Sequence, residues 1–121
     1  MKRVFVSGAS GNVGKLVVRN VLEREGLELA GGWCLEAGRD LGVLAGMEPV
    51  GVVSSADLAS GIRESSPDVV VDFTSTAVLM DNLRVYADAG VDAVIGTTGL
   101  TDGEMAQVGE MVKEKGLRWS V

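Results

Sequence analysis

The sequence predicts a doubly wound α/β fold, in which a mostly parallel sheet lies between two layers of helices. Three observations support this prediction. The spacing of apolar residues switches repeatedly between the period of a strand and the period of a helix. The predicted strands are almost wholly apolar, which is typical of parallel strands covered on both faces. The length of 121 residues and the hydrophobic content of 46% suit a single domain with a packed core.

The chain opens with a strand, a helix and a second strand. Residues 3–7 form an apolar run that predicts a short buried strand. Apolar positions through residues 13–24 follow one helical face, and residues 27–33 predict the second strand. The glycine-rich stretch 34–46 shows no period, so we expect it to be irregular.

The middle of the chain predicts a third strand, a helix and a fourth strand. Residues 50–53 are the third candidate strand. Ser55 is predicted to cap a helix that runs to about residue 65, and Pro67 marks the next turn. Residues 68–73 are the clearest strand in the sequence, because turn residues bound a continuous apolar run on both sides.

The last third of the chain predicts two more helices and two more strands. A helix over residues 76–89 precedes a strand over 91–96. A second helix to about residue 115 precedes a last strand over 117–121. Glycines that end the two helices and a capping box that opens the second support these bounds: Gly90, Gly116, and the pair Thr101 and Glu104.

Composition argues against several partners and chemistries. The formal net charge of −6 disfavours nucleic acid as a partner, since a phosphate backbone needs a basic face. The apolar runs are too short to predict a membrane span. A single cysteine, Cys34, is typical of a cytoplasmic protein. Because the chain has no histidine and one cysteine, we predict no catalytic residue and no metal ligand in it.

A glycine loop lies between the first strand and the first helix. Gly8 permits a tight turn, Gly11 lets the backbone approach a pyrophosphate, and Gly14 lets the helix pack closely on the strand. The helix N-terminus then offers free N–H groups to phosphate oxygens. This context predicts a Rossmann-type NAD(P)-binding domain, although a purely structural turn is the alternative. The predicted cofactor-binding residues of the loop are Gly8, Ala9, Ser10, Gly11, Asn12 and Val13.

The stretch after the second strand should contact the adenosine ribose. A carboxylate there would accept hydrogen bonds from a 2′-hydroxyl group, whereas an arginine would pair with a 2′-phosphate. Glu36 and Arg39 both lie within reach of that position. Because both signs of charge are present, the sequence leaves the choice between NADH and NADPH open.

Two later loops carry small polar residues at strand ends, where such sheets bind their ligands. One follows the fourth strand with the sequence Asp-Phe-Thr-Ser-Thr from Asp72, and the other is Gly-Thr-Thr-Gly from Gly96. The second loop combines backbone freedom with two hydroxyl groups at the ligand edge. We interpret Asp72 as a buried strand-end carboxylate that caps a helix rather than as a catalytic group.

These blocks together resemble the N-terminal domain of the 4-hydroxy-tetrahydrodipicolinate (dihydrodipicolinate) reductase family. The resemblance rests on Gly-Ala-Ser-Gly-Asn-Val-Gly, Asp-Leu-Gly-Val-Leu-Ala-Gly, Asp-Phe-Thr and Val-Ile-Gly-Thr-Thr-Gly, in the order of the family and over the whole chain. It implies an oxidoreductase that reduces a cyclic intermediate of the diaminopimelate and L-lysine biosynthesis pathway with NADPH or NADH. It also implies a homotetramer when the protein is full length.

The resemblance implies a role for each matched block. Gly8 through Val13 would hold the pyrophosphate, and Phe73 and Thr74 would border the nicotinamide ribose. Gly96, Thr97 and Thr98 would line the nicotinamide end, with Thr98 also near the substrate. A second domain, which in the family carries a histidine-rich motif and a lysine, would supply the substrate pocket and the catalytic proton donor.

The chain departs from the family pattern at several positions. The family places a Glu-Arg pair after the second strand where Cys34 and Leu35 stand here, so Glu36 and Arg39 would have to act from a shifted loop. Thr76 replaces a usual proline. We expect residues 1–121 to be a dinucleotide-binding domain cut from a longer polypeptide, without the C-terminal catalytic and tetramerisation domain and inactive alone.

Two other functions compete with this one. The glycine loop also resembles that of atypical short-chain dehydrogenases and epimerases, but those need a Tyr-x-x-x-Lys pair, and Tyr86 is followed by Gly90 instead. A non-catalytic module that senses dinucleotides is the second alternative. The sequence leaves open whether Trp33 packs at the strand end or stacks on adenine, and Cys34 is expected to be a small residue of the core or the loop edge.

Overall fold

A parallel β-sheet forms the centre of the molecule, in a computed structural model that describes residues 1–120. The sheet has six strands in the order β3-β2-β1-β4-β5-β6, and all five neighbouring pairs are parallel. In chain order the elements are β1 (Lys2–Ser7), α1 (Asn12–Glu23), β2 (Leu27–Trp33), α2 (Leu41–Leu44), β3 (Ser54–Ser55), α3 (Leu58–Ser65), β4 (Val69–Asp72), α4 (Thr76–Ala89), β5 (Asp92–Ile95), α5 (Asp102–Lys115) and β6 (Trp119–Ser120).

The predicted doubly wound α/β fold is confirmed. The strand order reverses between β1 and β4, which is the switch point where folds of this class bind their ligands. The bounds of β2 and α4 agree with the prediction to the residue. Gly90 and Gly116 adopt the left-handed conformation at the ends of α4 and α5, and Thr101 and Glu104 form the predicted capping box.

The third strand was predicted wrongly. The apolar run 50–53 is not the strand, because its backbone is committed elsewhere: the Val50 and Gly51 N–H groups donate to the carboxylate of Asp40. Val53 then pairs with Asp40 in an isolated antiparallel bridge. Only Ser54 and Ser55 reach the sheet, beside the end of β2.

Two predictions about helices also need correction. Asp57, rather than Ser55, caps α3, since its carboxylate accepts a hydrogen bond from the Ser60 N–H at 2.9 Å. The stretch 34–46 contains the short helix α2, which Asp40 caps through the N–H groups of Gly42 and Val43. A helix of four residues is too short to produce an apolar period, so the sequence pattern did not reveal it.

Apolar side chains fill both sides of the central strands. Val4 and Val6 of β1 face the layer of α1 and α2, whereas Phe5 faces the layer of α3, α4 and α5. The cover is incomplete at β5, where Val94 remains 44% exposed on the α1 side. The predicted cover on both faces therefore holds for the centre of the sheet and not for β5.

The last strand is shorter than predicted. It comprises Trp119 and Ser120, and Val121 lies outside the described residues. Among the helices of residues 1–120, none is both long enough and apolar enough to cross a membrane.

Candidate functional site

Three loops meet at the carboxyl edge of the sheet, after β1, β4 and β5. They enclose two adjoining clefts, one of about 500 Å³ and one of about 210 Å³. The larger cleft is lined by the segments 11–13, 73–76 and 96–98. The smaller one is lined by Gly8, Ser10, Gly11, Trp33, Cys34, Leu35, Phe73, Thr74, Ser75 and Val78.

The glycine loop is fixed on both sides by neighbouring strands. The N–H groups of Gly8 and Ala9 both donate to the carbonyl of Trp33, at 2.8 and 3.1 Å. Gly8 has a φ of +85°, and a Cβ atom on it would lie 2.4 Å from the carbonyl oxygen of Phe73. A Cβ atom on Gly14 would lie 1.9 Å from the Gly8 carbonyl oxygen. Gly8 and Gly14 are therefore required by the packing of the protein itself.

Gly11 differs from these two glycines. Its φ of −73° is open to any residue, and a Cβ atom there would meet only the Gly8 carbonyl oxygen, at an ordinary 3.4 Å. The residue is exposed and lines both clefts. Nothing in the packing of the described residues demands a glycine here, so the open space on this side is available to a ligand.

The N-terminus of α1 points into this space without a side-chain cap. Gly11 is the N-cap residue, and in the described part of the chain no side chain caps the helix and no acidic residue lies in its first turn. By contrast, α5 is closed by the reciprocal bonds of Thr101 and Glu104. The first N–H groups of a helix lack partners within it and carry partial positive charge. The first turn of α1 can therefore bind an anion.

Asp72 joins the other two loops and does not cap a helix, so that prediction was wrong. Its side chain is fully buried at the end of β4. Oδ1 accepts hydrogen bonds from the N–H and hydroxyl groups of Thr74, at 3.0 and 2.8 Å, and from the Thr97 hydroxyl group at 2.8 Å. Oδ2 lies 2.5 Å from the hydroxyl oxygen of Tyr86. The N-cap of α4 is Ser75, whose side chain makes no capping bond.

The loops after β4 and β5 also pack directly on each other. A Cβ atom on Gly96 would lie 2.1 Å from Cε1 of Phe73, so the aromatic ring covers this glycine. The Thr76 hydroxyl group donates to the carbonyl of Thr98 at 2.5 Å. The structure thus brings Phe73, Thr74 and the segment 96–98 together along one cleft, as the sequence predicted.

Glu36 and Arg39 lie apart from the clefts. Both side chains are more than half exposed, and they form a salt bridge of 2.8 Å with each other. Neither residue is among those that line the two clefts, although Leu35 beside them is. The two candidate ribose contacts are therefore paired with one another on the loop that borders the smaller cleft.

Trp33 and Cys34 connect β2 to the smaller cleft. The Cys34 side chain is buried, and its thiol donates to the Glu36 carbonyl at 3.1 Å. Trp33 is half-buried, packs against the core on the α3–α5 side and also lines the smaller cleft.

Tyr86 is not available as an acid or base in the clefts. Its side chain is fully buried in α4. Burial, together with the adjacent charge of Asp72, raises the pKa of Tyr86 far above its ordinary range. This burial disfavours the alternative of a short-chain dehydrogenase. Among residues 1–120 no group of three or more His, Cys, Asp or Glu side chains is placed to hold a metal ion.

A further hollow of about 570 Å³ lies at the opposite edge of the sheet, between α3 and α4. It is bordered by Ile62, Val85 and Val91, with Arg63 and Asp88 at its rim. It shares no residue with the two clefts, and the convergence of strand ends, glycines and an uncapped helix is found at the clefts instead.

A doubly wound parallel sheet with a glycine loop and an open helix N-terminus at its switch point defines a Rossmann-type dinucleotide-binding domain. Comparison with known proteins then identifies the family. The sequence model described as "Dihydrodipicolinate reductase, N-terminus" matches residues 2–121. The chain belongs to the N-terminal domain family of dihydrodipicolinate reductases.

Individual relatives agree with this assignment. The chain is 38% identical to a 4-hydroxy-tetrahydrodipicolinate reductase of Methanothermobacter thermautotrophicus, over 98% of this chain and 45% of the relative. It is 40% identical to that of Methanococcoides burtonii, over 89% of this chain and 43% of the relative. The solved structure of a dipicolinate-bound dihydrodipicolinate reductase from Paenisporosarcina sp. TG-14 superposes with a TM-score of 0.82 at 28% identity, covering 98% of this chain and 46% of that one.

The chain therefore spans about half the length of the relatives it matches. Sequence reasoning missed the link from Asp72 to Tyr86. A signal for it exists, since Tyr86 follows Leu79 and Leu83 at helical spacing and so carries a hydroxyl group on the buried face of α4. A carboxylate at the end of a buried strand needs donors, and such a tyrosine is a natural source.

Proposed function

We propose that this chain is the dinucleotide-binding part of a reductase that uses NADH or NADPH. The observation that carries the proposal is the exposed N-terminus of α1 beside Gly11, at the switch point of the sheet. Family membership supports it independently. The N–H groups of the first turn, from Asn12 and Val13, would donate to pyrophosphate oxygens, and Gly11 would allow close approach.

The nicotinamide half would occupy the larger cleft. Phe73 and Thr74 would border the ribose, and Gly96, Thr97 and Thr98 would face the nicotinamide ring, with Thr98 also near the substrate. The nicotinamide supplies a hydride when it is bound. The residues of this chain would orient that ring and shield one side of it, which is the contribution a protein makes to cofactor chemistry.

For the whole protein we propose reduction of a cyclic dihydrodipicolinate-type intermediate in diaminopimelate and L-lysine biosynthesis. The names of the relatives support this substrate class. Because the chain has no histidine and spans about half of those relatives, we assign the proton donor and the substrate pocket to a second domain. Residues 1–121 would thus be the cofactor domain, inactive alone. The family resemblance supports a homotetramer for the whole protein, and the single cysteine supports a cytoplasmic location.

Isothermal titration of the chain with NADH, NADPH and ADP-ribose tests this proposal. We expect micromolar binding that is lost in Gly11→Asp, because the new carboxylate would repel the pyrophosphate. An aspartate is also a good N-cap residue, so this variant should fold at least as well as the unaltered chain. Loss of binding would therefore not reflect unfolding.

Gly109→Asp is the matched control. Gly109 is exposed in α5, and a Cβ atom there would meet nothing within 4 Å. The same change of charge at that position should leave all three affinities unchanged. Equal binding by the Gly11→Asp variant and the unaltered chain would refute the assignment of the glycine loop to the pyrophosphate.

A further inference from the structure

Ser7, Asp72 and Tyr86 form a buried polar cluster behind the larger cleft. They come from β1, β4 and α4, and each side chain is 0% exposed. The Tyr86 hydroxyl oxygen lies 2.6 Å from the Ser7 hydroxyl oxygen and 2.5 Å from Oδ2 of Asp72. Burying a carboxylate is energetically costly unless its oxygens are hydrogen-bonded. Here both oxygens of Asp72 have hydrogen-bond donors.

The two oxygens of Asp72 have different tasks. Oδ2 is held by Tyr86, which is anchored in the core of α4 between Leu79, Leu83 and the sheet. With that side occupied, Oδ1 turns toward the loops and accepts three hydrogen bonds, from Thr74 and Thr97. A single carboxylate thus connects both loops to one helix, α4.

We propose that Asp72 and Tyr86 are positioning residues for the nicotinamide end of the cofactor, an inference that rests on the proposed function. Neither residue lines the clefts, so neither would touch the cofactor. They act through Thr74 and Thr97, which do line the larger cleft. The pair sets the distance between the loop after β4 and the loop after β5.

The cluster also fixes the donor and acceptor roles of the Thr74 and Thr97 hydroxyl groups. Each gives its single proton to Oδ1 of Asp72, so each presents only lone pairs to other partners. Thr74 Oγ1 lies 3.4 Å from Nδ2 of Asn82, which can donate to it. The lone pairs of Thr97 remain for the cleft, where they suit an N–H donor such as the carboxamide of a nicotinamide.

The test separates the two halves of the cofactor. Affinities of Tyr86→Phe for NADH and for ADP-ribose are measured by titration calorimetry, with thermal melting to verify folding. We expect NADH affinity to fall about tenfold, as for loss of a group that supports a ligand contact, while ADP-ribose affinity stays within about twofold. Asp72→Asn keeps the shape of the side chain but removes one acceptor. This variant should show the same selective loss of NADH affinity, and it replaces Tyr86→Phe in the test if Tyr86→Phe does not fold.

Leu83→Val is the matched control for a general loss of stability. Leu83 is fully buried on the same helix and contacts the core without bonding to Asp72. It should leave the ratio of the two affinities unchanged. A ratio that is also unchanged in Tyr86→Phe and Asp72→Asn would overturn the positioning role alone. Failure of the unaltered chain to bind ADP-ribose would instead overturn the proposed function and this inference with it.

Discussion

Replacement of Gly14 by alanine should destabilise the fold even though alanine is the better helix former. The added Cβ atom would lie 1.9 Å from the carbonyl oxygen of Gly8 and 2.7 Å from its carbonyl carbon. Ordinary contact begins at about 3.4 Å, so α1 and the glycine loop would have to separate by about 1.5 Å. Both sides of the clash are backbone, and no flexible side chain can move aside.

The expected magnitude follows from two opposing effects. Overpacking of this kind costs about 3 kcal/mol, and replacing a helical glycine with alanine returns about 1 kcal/mol. The net loss is about 2 kcal/mol. The unfolding entropy of a chain of 121 residues is about 0.25 kcal/mol/K, so the Tm should fall by about 8 °C.

Thermal unfolding followed by circular dichroism measures this effect, and Gly109→Ala is the control. Gly109 also lies in a helix, but a Cβ atom there would meet nothing within 4 Å. The same substitution should therefore raise the Tm by about 4 °C through helix propensity alone. Equal stability of the two variants would refute the close packing of α1 on the glycine loop.

Two further predictions concern charged groups. Burial acts to raise the pKa of Asp40, but donation by the N–H groups of Gly51, Val43, Val50 and Gly42 prevails and lowers it. Because the folded pKa is below the unfolded one, this stabilisation is present above the unfolded pKa and is lost as the pH falls through the folded value. Asp40→Asn should thus lower the Tm at pH 7 and flatten its decline between about pH 5 and pH 3; an unchanged decline in melting experiments would contradict this. Glu36→Gln should release Arg39 and raise NADPH affinity relative to NADH by up to about fivefold, since an exposed ion pair contributes at most about 1 kcal/mol. Arg39→Gln should shift the titrated ratio in the opposite direction, and equal ratios in both variants would rule out a role for this pair in cofactor choice.

The sequence predicted most of the fold because its signals were local. The bounds of β2 and α4 follow from apolar periods that end at clear turn residues, and the capping box of α5 is readable in four letters. The error at β3 has a different origin. Asp40 binds the N–H groups of Val50 and Gly51, and a contact between such separated positions has no periodic signature.

For the candidate site, the sequence indicated which loops form it but not how their side chains contact one another. Glycine and threonine motifs located the three loops, since parallel strand ends meet at one edge of a sheet. The salt bridge of Glu36 with Arg39, the buried bond from Asp72 to Tyr86 and the contact of the Phe73 ring with Gly96 depend on side-chain directions in three dimensions. Sequence spacing does not encode those directions.

The central place of β1 in the sheet has a consequence for how the chain folds. Paired residues of β1 and β2 are about 25 positions apart in sequence, as the bond between Arg3 and Glu28 illustrates. The contact of Arg3 with Asp68, just before β4, instead closes a separation of 65 residues. Closing the longer loop costs more chain entropy, and the contacts that offset this cost form only once both strands exist. We therefore expect β1-α1-β2 and β4-α4-β5 to form as two local units, and the rate-limiting step to be their docking along β1 and β4. That same step creates the switch point between the two strands, so the ligand-binding edge is the last part of the molecule to be assembled.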